Sequence, residues 1–157
     1  MNQSFAALLL AARRERQLVI ATALTDGAPS GQARQARLAQ QQGAGAAELR
    51  ADLLADPAQV RAALTAVRAA SSLPLLLTYR STTEGGKGAG HGQGYEDYLA
   101  SLLQLRPAVA AVDIEMACPA SKALVAEAKA VGYDVVGSCH DFTATPSAAQ
   151  ITQKLAQ

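Results

Sequence analysis

Leu75-Leu76-Leu77-Thr78-Tyr79-Arg80-Ser81-Thr82-Thr83-Glu84-Gly85-Gly86 decides how the rest of the chain is read. Its apolar part, introduced by Pro74, predicts a buried strand that ends on an arginine, and a carboxylate follows four residues later in a glycine-rich turn. Parallel α/β sheets build their ligand sites at the carboxyl ends of strands, which is where such charges gather. Three further apolar runs finish in the same way: Ala46-Ala47-Glu48-Leu49-Arg50, Ala111-Val112-Asp113-Ile114-Glu115 and Val135-Val136-Gly137-Ser138-Cys139-His140. Four such endings point to one shared site.

Around these runs the chain alternates between short apolar stretches and Ala/Arg/Gln-rich helical ones. The first strand is expected over about Gln17–Thr22 and a helix over about Gly31–Gln42, closed by Gly43 and Gly45. The second strand is Ala46–Arg50, and the next helix starts at Asp56-Pro57, an N-cap with proline at the first helical position, and runs to about Ala70. After the third strand, Leu75–Arg80, the six glycines between Ser81 and Gly94 exclude regular structure. A helix over Tyr95–Leu105, a strand over Val109–Glu115, a helix over Ser121–Val131 stopped by Gly132, and a strand over Asp134–Ser138 come next. A last helix begins near Thr145-Pro146-Ser147 and reaches the end of the sequence. Five βα units without a hairpin signal imply a parallel sheet with helical crossovers. Nothing in the composition divides residues 17–157, and the apolar segment in residues 1–16 reads as an N-terminal helical extension.

A repeat of roughly 25 to 30 residues suits either an open doubly wound sheet or part of a (β/α) barrel. The strand ends favour the barrel. Side chains alternate along a strand, so Glu48, Arg50 and Asp52 share one face, as do Thr78 with Arg80, Asp113 with Glu115, and Ser138 with His140. Unpaired charge inside a sheet costs several kcal/mol per ion. A ring of charges at the carboxyl ends is tolerable only where the groups pair with one another and with a ligand, as at a barrel mouth. The expected fold is therefore α/β, an incomplete (β/α)8 barrel of about five parallel units.

Composition narrows the functions. The formal net charge is +1, from 14 Lys+Arg against 13 Asp+Glu, which offers no broad basic field for nucleic acid. Hydrophobic residues make up 50% of the chain, but 36 of them are alanine, so the Leu, Val and Ile runs must supply most of the core. Cys118 and Cys139 form neither a disulfide framework nor a metal-ligand set, and two reduced thiols suit a cytoplasmic protein. The start, Phe5–Ala12, is too short to span a bilayer, and Arg13, Arg14 and Arg16 follow it rather than precede it, the reverse of a signal peptide. Neither a membrane nor a cofactor is expected.

The motifs Glu48-Leu49-Arg50-Ala51-Asp52, Thr78-Tyr79-Arg80-Ser81-Thr82-Thr83-Glu84-Gly85-Gly86, Asp113-Ile114-Glu115 and Ser138-Cys139-His140-Asp141-Phe142 with Thr145-Pro146 resemble type I 3-dehydroquinate dehydratase in order, spacing and strand placement. The resemblance runs from about residue 17 to the end. It implies a lyase of the shikimate pathway that converts 3-dehydroquinate to 3-dehydroshikimate. A lysine amine condenses with the C3 carbonyl, and the protonated imine acidifies C2. A histidine takes the C2 proton and returns a proton to the departing C1 hydroxyl. His140 matches that histidine, Glu84 and Asp113 match carboxylates that orient it, and Glu48, Arg50 and Arg80 match residues that bind the substrate.

The pattern departs from the family in one respect. The family's imine-forming lysine lies on the sixth strand, and only 17 residues follow His140 here. A whole barrel needs about 250 residues. No Schiff-base lysine is expected in this chain, and Lys154, on the last helix, reads as a solvated helix lysine. The alternative is a non-catalytic partial barrel that binds a shikimate-type ligand or assembles with a complementing chain. Strands one and five would have open edges, which predicts self-association or aggregation.

Three neighbouring features read as structural. His91, among glycines, is expected to be exposed and idle. Cys139 alternates with His140 and is expected to pack against helices, which excludes a Cys-His dyad. Gly85-Gly86-Lys87-Gly88 fails as a phosphate loop, because Ser81 stands where the first glycine is needed and Gly88 where Ser or Thr is needed.

Overall fold

A computed structural model of the chain describes residues 4–105 and 109–156. Residues 1–3 of the expected extension and Gln157 of the expected last helix lie outside them. The element order is α1 (Phe5–Glu15), β1 (Ala21–Leu24), α2 (Pro29–Gln41), β2 (Ala46–Arg50), α3 (Pro57–Ala70), β3 (Leu75–Thr78), α4 (Gln93–Leu103), β4 (Ala111–Glu115), α5 (Ser121–Ala130), β5 (Asp134–Ser138) and α6 (Ala148–Leu155). Short 3-10 turns at Ala51–Leu53 and Thr82–Glu84 follow β2 and β3.

All five strands are parallel, in the order β1-β2-β3-β4-β5. A doubly wound sheet reverses its strand order at a switch point, and this one never does. Monotonic order is that of a (β/α) barrel, here an open sheet of five units.

The two faces of the sheet have different partners. Ala47, Leu49, Leu75, Leu77, Val112 and Ile114 alternate onto the face covered by the helices and belong to the main core. On the opposite face Ala46, Leu76 and Ala111, at the amino ends of their strands, cluster with Phe5 and Leu8 of α1. Further along that face the small apolar residues give way to Glu48, Arg50, Thr78, Arg80, Asp113 and Glu115. Helix α1 is thus docked on the sheet rather than detached from it. Ser4 caps it by accepting from the Ala7 amide, and both the Ser4 hydroxyl (2.8 Å) and the Ala6 amide (2.9 Å) donate to Asp134 Oδ2 at the start of β5.

Strand bounds match the sequence expectation at β2 and β5 and differ at β1, which runs Ala21–Leu24 rather than Gln17–Thr22. The apolarity of Gln17-Leu18-Val19-Ile20 misplaces it. The partner strand β2 begins at Ala46, and the ladder starts where Gly45 and Ala46 donate to the Ile20 carbonyl. Leu18 and Ile20 precede that point on an edge of the sheet and stay 95% and 64% exposed.

Candidate active site

Arg80 leaves the carboxyl end of β3 and meets three carboxylates. Its Nη2 lies 2.9 Å from Asp113 Oδ2, and its Nη1 lies 3.1 Å from Glu115 Oε1 and 3.5 Å from Glu84 Oε2. Nη1 also donates to the Ser138 hydroxyl at 2.8 Å, and that hydroxyl donates to Asp113 Oδ2 at 2.9 Å. The Arg80 side chain is 10% exposed and those of Asp113, Glu84 and Glu115 are 4% or less, so these pairs sit almost out of water, where an unmatched member would be costly.

The loop after β3 brings Glu84 into this cluster. The Ser81 hydroxyl accepts from the Glu84 amide and caps the short turn, which Gly85 ends in the left-handed conformation at φ 81°. A β-carbon at Gly86 would stand 2.1 Å from the Arg80 carbonyl oxygen, so only glycine lets the loop fold back this closely. The middle of the loop is tied down: the Lys87 amide donates to Asp52 Oδ2 and the Ala89 amide to the Tyr79 hydroxyl. Tyr79 in turn stacks on Tyr98 with ring centroids 4.1 Å apart.

Glu84 Oε2 then accepts from the His140 backbone amide at 3.0 Å and lies 2.8 Å from His140 Nδ1. A carboxylate on Nδ1 assigns the proton to that nitrogen and leaves Nε2 as the basic one. His140 is the most open member of the group, its side chain 38% exposed, and Phe142 stacks beside it. A half-exposed imidazole, oriented by a buried carboxylate, is able to exchange a proton with a ligand at the strand ends.

The remaining expected site residues fall into place differently. Asp113 makes no hydrogen bond to His140; it is connected to the histidine through Arg80 and Glu84. Arg50 forms a two-pronged pair with Asp52, Nε to Oδ1 and Nη2 to Oδ2 both at 2.8 Å, so Asp52 links β2 to the glycine loop. Glu48 is half-buried on the same face, and its carboxylate makes no hydrogen bond among the described residues. Arg80, Glu84, Asp113 and His140 form one connected group, with Glu48 and Arg50 beside it on β2.

Burial and neighbouring charge push these groups in opposite directions. Burial raises Asp113 to about 6, against the pull of Arg80 and the Ser138 hydroxyl, and the charges of Glu48 and Glu115 add to the rise. One guanidinium shared among three carboxylates cannot fully stabilise each. Burial would also raise Glu115, but the Ser81 hydroxyl and amide, His91 and Arg80 together hold it below the usual range. The hydrogen bond to Asp52 outweighs desolvation at Arg50 and raises its pKa.

His91 was expected to be exposed and idle, and the structure overturns that. Its side chain is 13% exposed, Nε2 lies 2.6 Å from Glu115 Oε2, and its ring meets Tyr95 edge-on at 5.5 Å. Its amide donates to Thr83 Oγ1, which sets its place in the loop. A residue in a six-glycine loop has no periodicity to betray its direction. Glu115 and Ser138 were better signalled, since strand parity places Glu115 with Asp113 and Ser138 with His140.

Cys139 is also a correction: it is exposed rather than packed under helices, and Lys154 Nζ donates to its Sγ at 2.9 Å. Beyond β5 the outer edge of the sheet is open, which leaves Cys139 and Lys154 lining a groove of about 760 Å³ with Phe142, Ile151 and Leu155. This groove lies beside the edge strand and holds none of the buried carboxylates. The carboxylate–histidine pair lies in the charged cluster instead.

A (β/α)-barrel sheet with charged strand ends and a carboxylate–histidine pair defines the class of protein. The type I 3-dehydroquinase family matches residues 20–157, and the chain belongs to that family. It is 36% identical over 123 residues to the 3-dehydroquinate dehydratase of Methanosarcina acetivorans, covering 76% of this chain and 51% of that protein. It is 38% identical over 128 residues to that of Methanoregula boonei, covering 81% of this chain and 54% of that one. Among solved structures, 3-dehydroquinate dehydratase from Enterococcus faecalis superposes with a TM-score of 0.76 at 28% identity, over 86% of this chain and 58% of the other. The type I enzyme from Clostridium difficile gives 0.77 at 22% identity over 86% and 56%, a likeness of fold. The chain therefore spans about half the length of the curated relatives it matches. No helix among the described residues is long and apolar enough to cross a membrane.

Proposed function

We propose that this chain supplies the acid–base and substrate-orienting half of a 3-dehydroquinate dehydratase site. The observation that carries the reading is the 2.8 Å contact between Glu84 and His140 Nδ1, made from the ends of two different strands in a chain of this family. His140 Nε2 takes the C2 proton of a substrate imine and returns a proton to the C1 hydroxyl as it leaves. Glu84 holds the ring in place through Nδ1. Arg80 is so fully engaged by Glu84, Asp113 and Glu115 that its main part is to position these carboxylates. Glu48 and Arg50 remain for the ligand's hydroxyls. Two free thiols and a small-molecule biosynthetic substrate fit a cytoplasmic location.

The imine-forming lysine is not among these residues. Lys87 takes part in the site only through its backbone amide, and the Lys154 amine is bound to Cys139. Imine formation then requires a lysine from outside these residues. The test is borohydride reduction in the presence of 3-dehydroquinate, read by intact mass, alongside substrate titration followed by histidine NMR. The expected result is no adduct, with the His140 ring resonances shifting on titration. An adduct on Lys87 or Lys154 would overturn the assignment of the nucleophile, and unchanged His140 resonances at saturating substrate would overturn the site.

A further inference from the structure

The two carboxylates grouped with His91 use their oxygens differently. Glu115 Oε1 accepts from Arg80 Nη1 at 3.1 Å and from the Ser81 amide at 2.9 Å, while Oε2 faces the Ser81 hydroxyl and His91 Nε2. Glu84 commits Oε2 to His140 and Arg80, and its Oε1 is buried with no hydrogen-bond partner among the described residues. A carboxylate oxygen at a residue 3% exposed, with no donor among the described residues, loses its hydration without return. Charge is unbalanced in the same direction, because Glu84, Asp113 and Glu115 share the single guanidinium of Arg80. One donor atom from each of Glu84, His91 and Glu115 lies within 4.8 Å of the others.

We propose that Glu84, His91 and Glu115 form a binding site for a divalent transition-metal ion of the zinc class, seated where the glycine loop closes on the end of β4. An imidazole with two carboxylates is a donor set that suits zinc, and softer thiolate ligands are not needed. Zinc bonds of about 2.0–2.2 Å place neighbouring ligand atoms roughly 3.4 Å apart. Reaching that spacing means opening the 2.6 Å contact between His91 Nε2 and Glu115 Oε2 and drawing in ligand atoms that stand up to 4.8 Å apart. The outer partners of such a site are already in place: Arg80 and Ser81 hold Glu115, the His140 amide holds Glu84, and Thr83 holds the His91 backbone. With three carboxylates against one arginine, a dication neutralises the cluster instead of overcharging it. An ion on Glu84 withdraws negative charge from the carboxylate that orients His140, so occupancy would oppose the chemistry proposed above. Binding itself does not depend on that chemistry.

The test uses the whole chain in a Cys139→Ser background, which removes the exposed thiol as a competing ligand. Zinc is titrated against a chromophoric chelator, and cobalt(II) is followed by visible absorption. One equivalent should bind, His91→Ala should weaken binding at least about tenfold, and Lys154→Met should leave it unchanged. His91→Cys should retain binding and add a near-ultraviolet thiolate-to-cobalt charge-transfer band, which a loss of folding cannot imitate. Absence of stoichiometric binding, binding indifferent to His91→Ala, or a His91→Cys protein without the thiolate band would each overturn the proposal.

Discussion

Asp113 shows how one buried carboxylate couples the site to stability. Its fold-imposed pKa of about 6 lies above its ordinary 3.8, so the folded state holds a proton there that the unfolded chain releases. The contribution to folding is complete below about 4 and is lost as pH rises through about 6; a shift of this size amounts to roughly 3 kcal/mol at most. Glu115 works in the opposite sense and in a lower window, its depressed pKa losing stability only as pH falls below the ordinary carboxylate range. Urea denaturation between pH 4.5 and 7 should therefore show wild-type stability falling with pH, and Asp113→Asn should flatten that slope. A slope unchanged in the variant would place the titration elsewhere. Residue types and parity in the sequence were enough to collect Arg80, Asp113, Glu115 and Ser138 on one face. They could not show that Arg80 would be engaged by three carboxylates, because that depends on how closely neighbouring strands bring their ends together.

At the scale of elements, the glycine loop matters most. It carries Glu84 and His91 at its two ends and is anchored to β2 through Asp52 and to α4 through the stacked Tyr79 and Tyr98. Gly86 is the point of closest approach, and the obstacle to a side chain there is backbone, which cannot rotate away. Gly86→Ala should destabilise the protein by about 2–3 kcal/mol and separate Glu84 from His140, seen as loss of the ligand-induced His140 shift. Wild-type stability in that variant would mean that the loop has room the geometry denies. The sequence announced the loop as irregular but not its path. Six glycines remove the periodicity from which direction is read, so Glu84 was placed through its motif, and His91, which had none, was misjudged. The N-terminal helix was legible as a helix from the apolar segment Phe5–Ala12. That it lies against Ala46, Leu76 and Ala111 is a matter of which sheet face is left uncovered.

For the whole molecule, the open sheet is the dominant fact. β1 and β5 each have one paired neighbour, and Leu18, Ile20, Phe142 and Leu155 are 95%, 64%, 77% and 84% exposed near these edges or on α6. Unpaired parallel edges flanked by apolar side chains favour association with another chain. Light scattering after size exclusion at micromolar concentration should find dimers or larger species, and added Leu18→Lys and Ile20→Lys should shift them toward monomer. A monodisperse wild-type monomer would contradict this.

The one-dimensional signals alone determined the five βα repeats, the parallel sheet and the alignment of charges at strand ends, because all of these follow from local periodicity and from side-chain alternation along a strand. Tertiary structure alone decided the partners: Arg80 among three carboxylates, Glu84 on His140, His91 on Glu115, and Cys139 out at the edge with Lys154. Those contacts join residues from separate strands and one aperiodic loop. Their distances are set by strand register and close packing, which no local pattern encodes.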